Sequence, residues 1–189
     1  YNTGAYSHAH ASGLWQFISS TGKLYGLKSN WCIDERRDPF KATIAAGKYL
    51  KRLYEMFNDW ELAIAAYNVG EGKILREIKR GRADYWMMKL PKETKHYVPK
   101  FYAALHIMQN LEKYGFQRSN NIFPEFEEVV IENVTDLNVI AECAKCSVED
   151  LKFLNPELKT IMTPPFEKKY NLRIPKGKKD DFTAAIAKV

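Results

Sequence analysis

Cysteine is scarce in this chain: three in 189 residues, at positions 32, 143 and 146. That is too few for a disulfide framework. Cys143 and Cys146 form a Cys-x-x-Cys pair, "CAKC", but no further ligands are spaced to complete a zinc site, and the context is not that of a thioredoxin-type motif. Three apart on a helix, the two read as packing residues. Long apolar runs are missing as well; none approaches the roughly 18 residues that a membrane-spanning helix needs. Tyr1-Asn2-Thr3-Gly4 has neither the basic nor the apolar stretch of a secretory leader, which a mature or trimmed chain would equally lack. Before residue 120 no convincing β-strand can be read.

Core-forming residues are plentiful. Hydrophobic residues make up 46% and aromatics 13%, so a packed interior is expected and wholesale disorder is not. The length suits one ordinary domain and one small one. The net charge of +6 is uneven: residues 1–119 carry 19 Lys and Arg against 11 Asp and Glu, while residues 120–189 carry 10 against 12. A basic first part suits an anionic partner, whether nucleic acid, anionic lipid or cell-wall polymer. The plainer alternative is a set of solvated helix faces. No basic recognition helix with base-reading side chains is visible, so nucleic acid is not expected as a partner.

The first part reads as helices. In "PFKATIAAGKYLKRLYEMFN", Ile44, Ala45, Tyr49, Leu50, Leu53 and Phe57 recur at spacings of three and four, after a plausible start at Asp38-Pro39. "DWELAIAAYNVGEG" follows, capped by Asp59 and ended by Gly70 and Gly72. "EGKILREIKRG" is a short basic helix closed by Gly81, and "PKETKHYVPKFYAALHIMQNLEKYG" a longer one that is expected to break or restart near Pro99. The pattern then changes. "RSNNIFPEF" is a turn-rich linker candidate. "FEEVVIENV" has strand character, "DLNVIAECAKCSVEDLKFLNPEL" reads as two helices with Ser147 capping the second, and "YNLRIPKG" alternates as a strand. The tail is therefore β-α-α-β over roughly Glu125 to Gly177, with "DDFTAAIAKV" as a last helix. The expected class is mainly α (α+β), divided into residues 1–119 and residues 120–189.

Four polar constellations punctuate the helical part: Gly13-Leu14-Trp15-Gln16-Phe17, Asp34-Glu35-Arg36-Arg37-Asp38-Pro39, Ala66-Tyr67-Asn68-Val69-Gly70 and Glu93-Thr94-Lys95-His96-Tyr97-Val98. Each has a bland explanation. Asn68 before Gly70 is a helix end, and Glu93 is a first-turn carboxylate favoured by the helix dipole. Tyr97 is an amphipathic core residue with a wet hydroxyl, and the acid–base run is an exposed ion network or a loop fastening. Gln16, in a helix-like segment between Trp15 and Phe17, either faces solvent or lines a cleft, because a buried amide without partners costs about 1–3 kcal/mol. Together they suggest more. Amides, carboxylates and phenols beside aromatic rings are what a sugar-binding groove needs: rings stack on pyranose faces, and polar groups satisfy hydroxyls.

Residues 1–116 resemble the soluble lytic transglycosylase family, which has a lysozyme-like fold. The likeness is carried by "SGLWQFISSTGKLYGL", "DERRDP", "AAYNVGEGKI" and "LPKETKHYVPKFYAA", four blocks in order over more than a hundred residues. The tail, "VTDLNVIAECAKCSVEDLKFLNPEL…YNLRIPKG", resembles a divergent LysM repeat, a module that binds glycans containing N-acetylglucosamine. The resemblance implies that Gln16 lines the glycan cleft and that Tyr67, Asn68, Glu93 and Tyr97 contact substrate. It also implies non-hydrolytic cleavage of the β-1,4 bond between N-acetylmuramic acid and N-acetylglucosamine, leaving a 1,6-anhydro end.

The family's catalytic glutamate, in a Glu-Ser pair, is expected about three residues before Tyr1. Glu71 and Glu93 are poor substitutes, since the resemblance gives both other roles. The alternatives are a binding-only relative that has lost its acid and a muramidase of the same fold. The resemblance further implies peptidoglycan as partner and a place in the bacterial envelope (periplasm or outer membrane), and it leaves open whether segments outside this chain attach the protein to a membrane. A monomer is expected, and no metal or organic cofactor is implied.

Overall fold

A computed structural model describes residues 2–117 and 124–187, which fall into two compact units. One joins Tyr1–Ala45 with Asn121–Val189; the other is Ala46–Asn120. Among the described residues the order is α1 (Ser19–Leu24), α2 (Pro39–Phe57), α3 (Trp60–Val69), α4 (Glu71–Lys79), α5 (Lys92–Gln109), β1 (Phe126–Ile131), α6 (Leu137–Ala144), α7 (Val148–Leu154), β2 (Tyr170–Pro175) and α8 (Lys179–Ile186). The described residues are mainly helical, and among them β1 and β2 form a two-stranded antiparallel sheet in which Phe126 faces Pro175 and Ile131 faces Tyr170. The linker candidate "RSNNIFPEF" lies mostly outside the described residues, which resume at Pro124.

In the unit of residues 46–120, Ala-rich α3 is buried at Leu62–Ala66, and its small side chains allow close packing with α4 and α5. Asp59 caps α3 by accepting from the Leu62 amide at 2.8 Å. Gly70 takes φ +84°, ending α3 and opening α4 in one residue. Gly72 does not end a helix: it lies within α4, since one positive-φ glycine is enough to turn the chain. Nor does Pro99 break α5, which runs unbroken from Lys92 to Gln109. Pro99 cannot donate to the Lys95 carbonyl four residues earlier. The Tyr85 hydroxyl donates to that carbonyl at 3.0 Å and to the Thr94 carbonyl at 3.1 Å.

In α2 the inward residues are Ala45, Tyr49 and Leu53, whereas Ile44 is exposed. A three-four spacing alone could not separate Ile44 from its neighbours, because it sits at the margin of the apolar stripe.

In the other unit, α6, α7 and α8 pack with the sheet around Val129, Ile131, Leu137, Ile140, Leu151, Leu172, Ile174 and Phe182. Cys32 and Ile33, far away in the chain, belong to the same cluster. Ser147 caps α7 in a reciprocal capping box with Asp150. Cys143 is buried and Cys146 half-buried, both as free thiols.

Candidate functional site

The segment around Gln16 is a turn rather than a helix; α1 begins only at Ser19. Gln16 takes φ +51°, and its Nε2 donates to the Gly13 carbonyl at 2.7 Å and the Ala5 carbonyl at 3.4 Å. The exposed amide therefore braces its own loop. Phe17 is buried, and Trp15 is half-buried, with Nε1 donating to Thr43 Oγ1 at 2.7 Å.

Beneath this loop sits the acid–base run, which is a buried fastening and not an exposed network. Asp34, Glu35, Arg36 and Asp38 are all buried. Arg36 engages Asp34 in a fork, Nε to Oδ1 at 2.9 Å and Nη2 to Oδ2 at 2.8 Å. Its Nη1 donates to the carbonyls of Phe17 at 3.0 Å and His10 at 2.9 Å. Burial pushes the Asp34 carboxyl up, but the Arg36 guanidinium outweighs that and leaves it below its ordinary value. Gly13 packs so closely here that a Cβ would lie 1.8 Å from the Arg36 carbonyl oxygen, so no other residue fits. Two of the sequence blocks thus form one built structure.

The other two blocks meet in the unit of residues 46–120. Asn68, at the end of α3, donates from Nδ2 to Glu93 Oε1 at 3.2 Å and accepts at Oδ1 from Thr94 Oγ1 at 2.8 Å. Glu93 and Thr94 open α5, and Tyr97 lies one turn further on. Tyr67 packs its ring 5.2 Å from that of Tyr49, whose hydroxyl donates to Glu71 Oε2 at 2.9 Å. Burial pushes the Tyr67 phenol well above its ordinary range, with Tyr97 and Tyr49 adding to the effect. Tyr97 is raised by burial and then by Glu93. Both phenols stay protonated at neutral pH and can donate hydrogen bonds, while Glu71 and Glu93 supply acceptors.

Of the residues named from sequence, Tyr67, Asn68, Glu93 and Tyr97 come together in this cluster, and Gln16 belongs to the other unit. Tyr49, Glu71 and Thr94 are the members that sequence reading did not name as substrate contacts. Tyr49 reads as a core residue of α2 from its period, and only its hydroxyl reaches the cluster. Thr94 is almost fully buried beside Glu93, and the adjacency of the two in the ETKHY block is the one signal that could have found it. Among the described residues no group of His, Cys, Asp and Glu is placed to hold a metal ion. No helix among them is long and apolar enough to cross a membrane. In the tail, a shallow cavity of about 560 Å³ lies where β1 turns into α6, lined by Ile131, Asn133, Thr135, Asp136, Val139 and Ile186 among others.

These features fall into two families that meet in one chain. Residues 1–94 belong to the Transglycosylase SLT domain family, and residues 125–189 to the LysM-like domain family of lytic transglycosylase MltD. Over 190 aligned residues the chain is 36% identical to the membrane-bound lytic murein transglycosylase D of Escherichia coli K12, and equally to that of Escherichia coli O6:H1 strain CFT073. The alignment covers 97% of this chain and 42% of each relative, so the chain spans less than half of their length.

Proposed function

We propose that the protein is a peptidoglycan lytic transglycosylase that cleaves the β-1,4 bond between N-acetylmuramic acid and N-acetylglucosamine. The 6-hydroxyl of the muramic acid attacks its own anomeric carbon, and the bond to the leaving oxygen breaks. A carboxylic acid protonates that oxygen and then, as carboxylate, takes the proton of the 6-hydroxyl. No water is consumed, and the product carries a 1,6-anhydro ring. The general acid in this reading is the glutamate that the family resemblance places upstream of Tyr1.

The observation that carries the reading is the convergence of Tyr67, Asn68, Glu93 and Tyr97, at the junction of α3 and α5, with the tyrosine and carboxylate pair Tyr49–Glu71 beside them. Tyr67, Asn68, Glu93 and Tyr97 are the proposed substrate contacts, with Gln16 as a further contact from its braced loop. Residues 1–119 are the proposed catalytic segment. Residues 120–189 are the proposed glycan-binding module, with the cavity at the β1–α6 turn as its binding surface. In this reading the protein works as a monomer in the bacterial cell envelope, in the periplasm or at the outer membrane, and any membrane attachment lies outside this chain.

The test is digestion of purified sacculi by the protein carrying its native upstream sequence, with products resolved by mass spectrometry. Anhydro-muropeptides are expected. Asn68→Ala and Glu93→Gln are expected to lower the rate by about ten- to a hundredfold through loss of substrate positioning, with the fold retained. Reducing ends without the anhydro ring would identify a muramidase instead, and sacculus binding without any release a binding protein.

A further inference from the structure

Arg173 sits on β2 in the LysM-like tail, between two buried acids: Glu157 of the tail, 3.8 Å from its Nη1, and the closer Asp38 of the transglycosylase segment. Its guanidinium is buried and donates through Nη2 to Asp38 Oδ2 at 2.6 Å and through Nη1 to the Leu154 carbonyl at 3.2 Å. It lies over the rings of Phe40, at 4.9 Å, and Phe126, at 5.6 Å. Asp38 is fully buried and divides its two oxygens. Oδ2 takes Arg173, while Oδ1 accepts from the amides of Phe40 at 2.8 Å and Lys41 at 2.9 Å, capping α2.

Backbone contacts run alongside. The Asp34 amide donates to the Glu157 carbonyl at 2.8 Å, the Lys159 amide to the Cys32 carbonyl at 2.8 Å, and Ile33 bridges to Leu158. At the surface Lys28 pairs with Glu167 at 2.5 Å, and Trp31 meets Phe166 edge-on at 6.0 Å.

A module that only reads glycan on a tether would face the rest of the chain with solvated polar surface. This one shares a hydrophobic cluster, backbone hydrogen bonds and a buried ion pair with residues 28–45. A buried pair binds both sides into one structure, because without Arg173 the Asp38 carboxylate is left buried with no cation.

We propose that the LysM-like tail is an intramolecular partner of the transglycosylase segment, in which Arg173 clamps Asp38 and so fixes the start of α2. The role needs no substrate, and its test is independent of the catalytic reading.

The test is amide hydrogen exchange on the full chain, comparing wild type with Arg173→Met, Asp38→Asn, the double variant and Arg173→Lys. In Arg173→Met the amides of Asp34, Phe40, Lys41 and Lys159 are expected to exchange at least tenfold faster, with Leu62–Ala66 of α3 within twofold of wild type. The double variant is expected to exchange more slowly at the Phe40 and Lys41 amides than Arg173→Met, since Asp38 is no longer a stranded charge, while buried Glu157 loses its cation equally in both. Arg173→Lys, which keeps a cation, is expected to fall between. Wild-type rates at Asp34, Phe40 and Lys41 in Arg173→Met would overturn the proposal. Should that variant fail to fold, Asp38→Asn carries the test, since asparagine keeps an oxygen for the helix cap but removes the charge. Faster exchange at the Arg173 amide, which donates to Asn155 Oδ1 at 2.9 Å, would then support the clamp, and an unchanged rate there would overturn it.

Discussion

Glu77 is fully buried on α4 and remains a carboxylate. Arg82 Nε donates to its Oε2 at 2.6 Å and the Lys89 amide to the same oxygen at 3.0 Å, while Arg80 and Lys73 approach Oε1 at 3.3 and 3.5 Å. The Arg82 hydrogen bond, followed by that of the Lys89 amide, overcomes burial and holds the carboxyl down to about 2. A depressed carboxyl contributes stability above its unfolded value and loses it as pH falls through the folded one. The window is therefore pH 4.5 down to about 2. Glu77→Gln is expected to lower Tm at pH 7 by about 5 °C or more and to change it little at pH 2, as scanning calorimetry would show. Nothing in the sequence marked this residue. It sits among Lys73, Arg76, Lys79 and Arg80 in what reads as a solvated basic helix, and its decisive partners Arg82 and Lys89 lie beyond the helix end. Asn68 and Glu93, by contrast, were legible because their blocks put hydrogen-bonding groups at helix ends, where side chains meet across a turn. The Gln16 loop was misread as helix-like. Its positive φ and its carbonyl partners depend on the Arg36 fastening, which no local pattern reveals.

Helix α5 shows why an element can defy its own sequence. Proline inside a helix removes one hydrogen bond and usually ends or kinks it. Here the orphaned Lys95 carbonyl receives the Tyr85 hydroxyl, a partner ten residues earlier and outside the helix. Tyr85→Phe is expected to destabilise the protein by about 0.5–1.5 kcal/mol, since the part-buried Lys95 carbonyl loses its donor. In a Pro99→Ala background the alanine amide supplies the missing donor, and the same change is expected to cost about half as much or less. Chemical denaturation of the four proteins closes the cycle. The other elements followed their patterns more closely. Period, caps at Asp59 and Ser147, and the positive-φ turn at Gly70 are local, and local signals survive folding unchanged. The margin of a stripe is less well defined, as exposed Ile44 shows.

On the scale of the whole molecule, contacts do not follow the order of the chain. Residues 1–45 share a compact unit with the tail, and the reason is non-local: Cys32 and Ile33 sit in no periodic segment, yet they pack with Leu151, Leu158 and Leu172. Composition and charge change near residue 120, but neither reports which early loop a late module covers. A polypeptide of residues 1–119 contains Cys32 as its one cysteine. That thiol is fully buried in the whole chain, so its reaction with an aromatic disulfide reagent is expected to be slow there. In the shortened polypeptide it is expected to react at least a hundredfold faster, approaching a free thiol. Protection that persisted without the tail would mean the early segment closes over Cys32 by itself.

The divided carboxylate of Asp38 has a consequence for descent. A substitution at position 38 uncaps a helix and removes the closer of the two acids that face Arg173, and one at position 173 strands buried Asp38 and Glu157 together. Neither can drift alone, so the two positions are expected to change together across relatives, acid with base or neutral with neutral. A recombination event that brought in a different sugar-binding tail would meet the same obstacle. Cys32, Ile33 and Asp38 would all be uncovered at once, and only a newcomer carrying a cation in register with position 173 would seal them. The tail is therefore expected to be inherited with the segment it covers, sharing one history with it rather than passing from protein to protein as a free cassette.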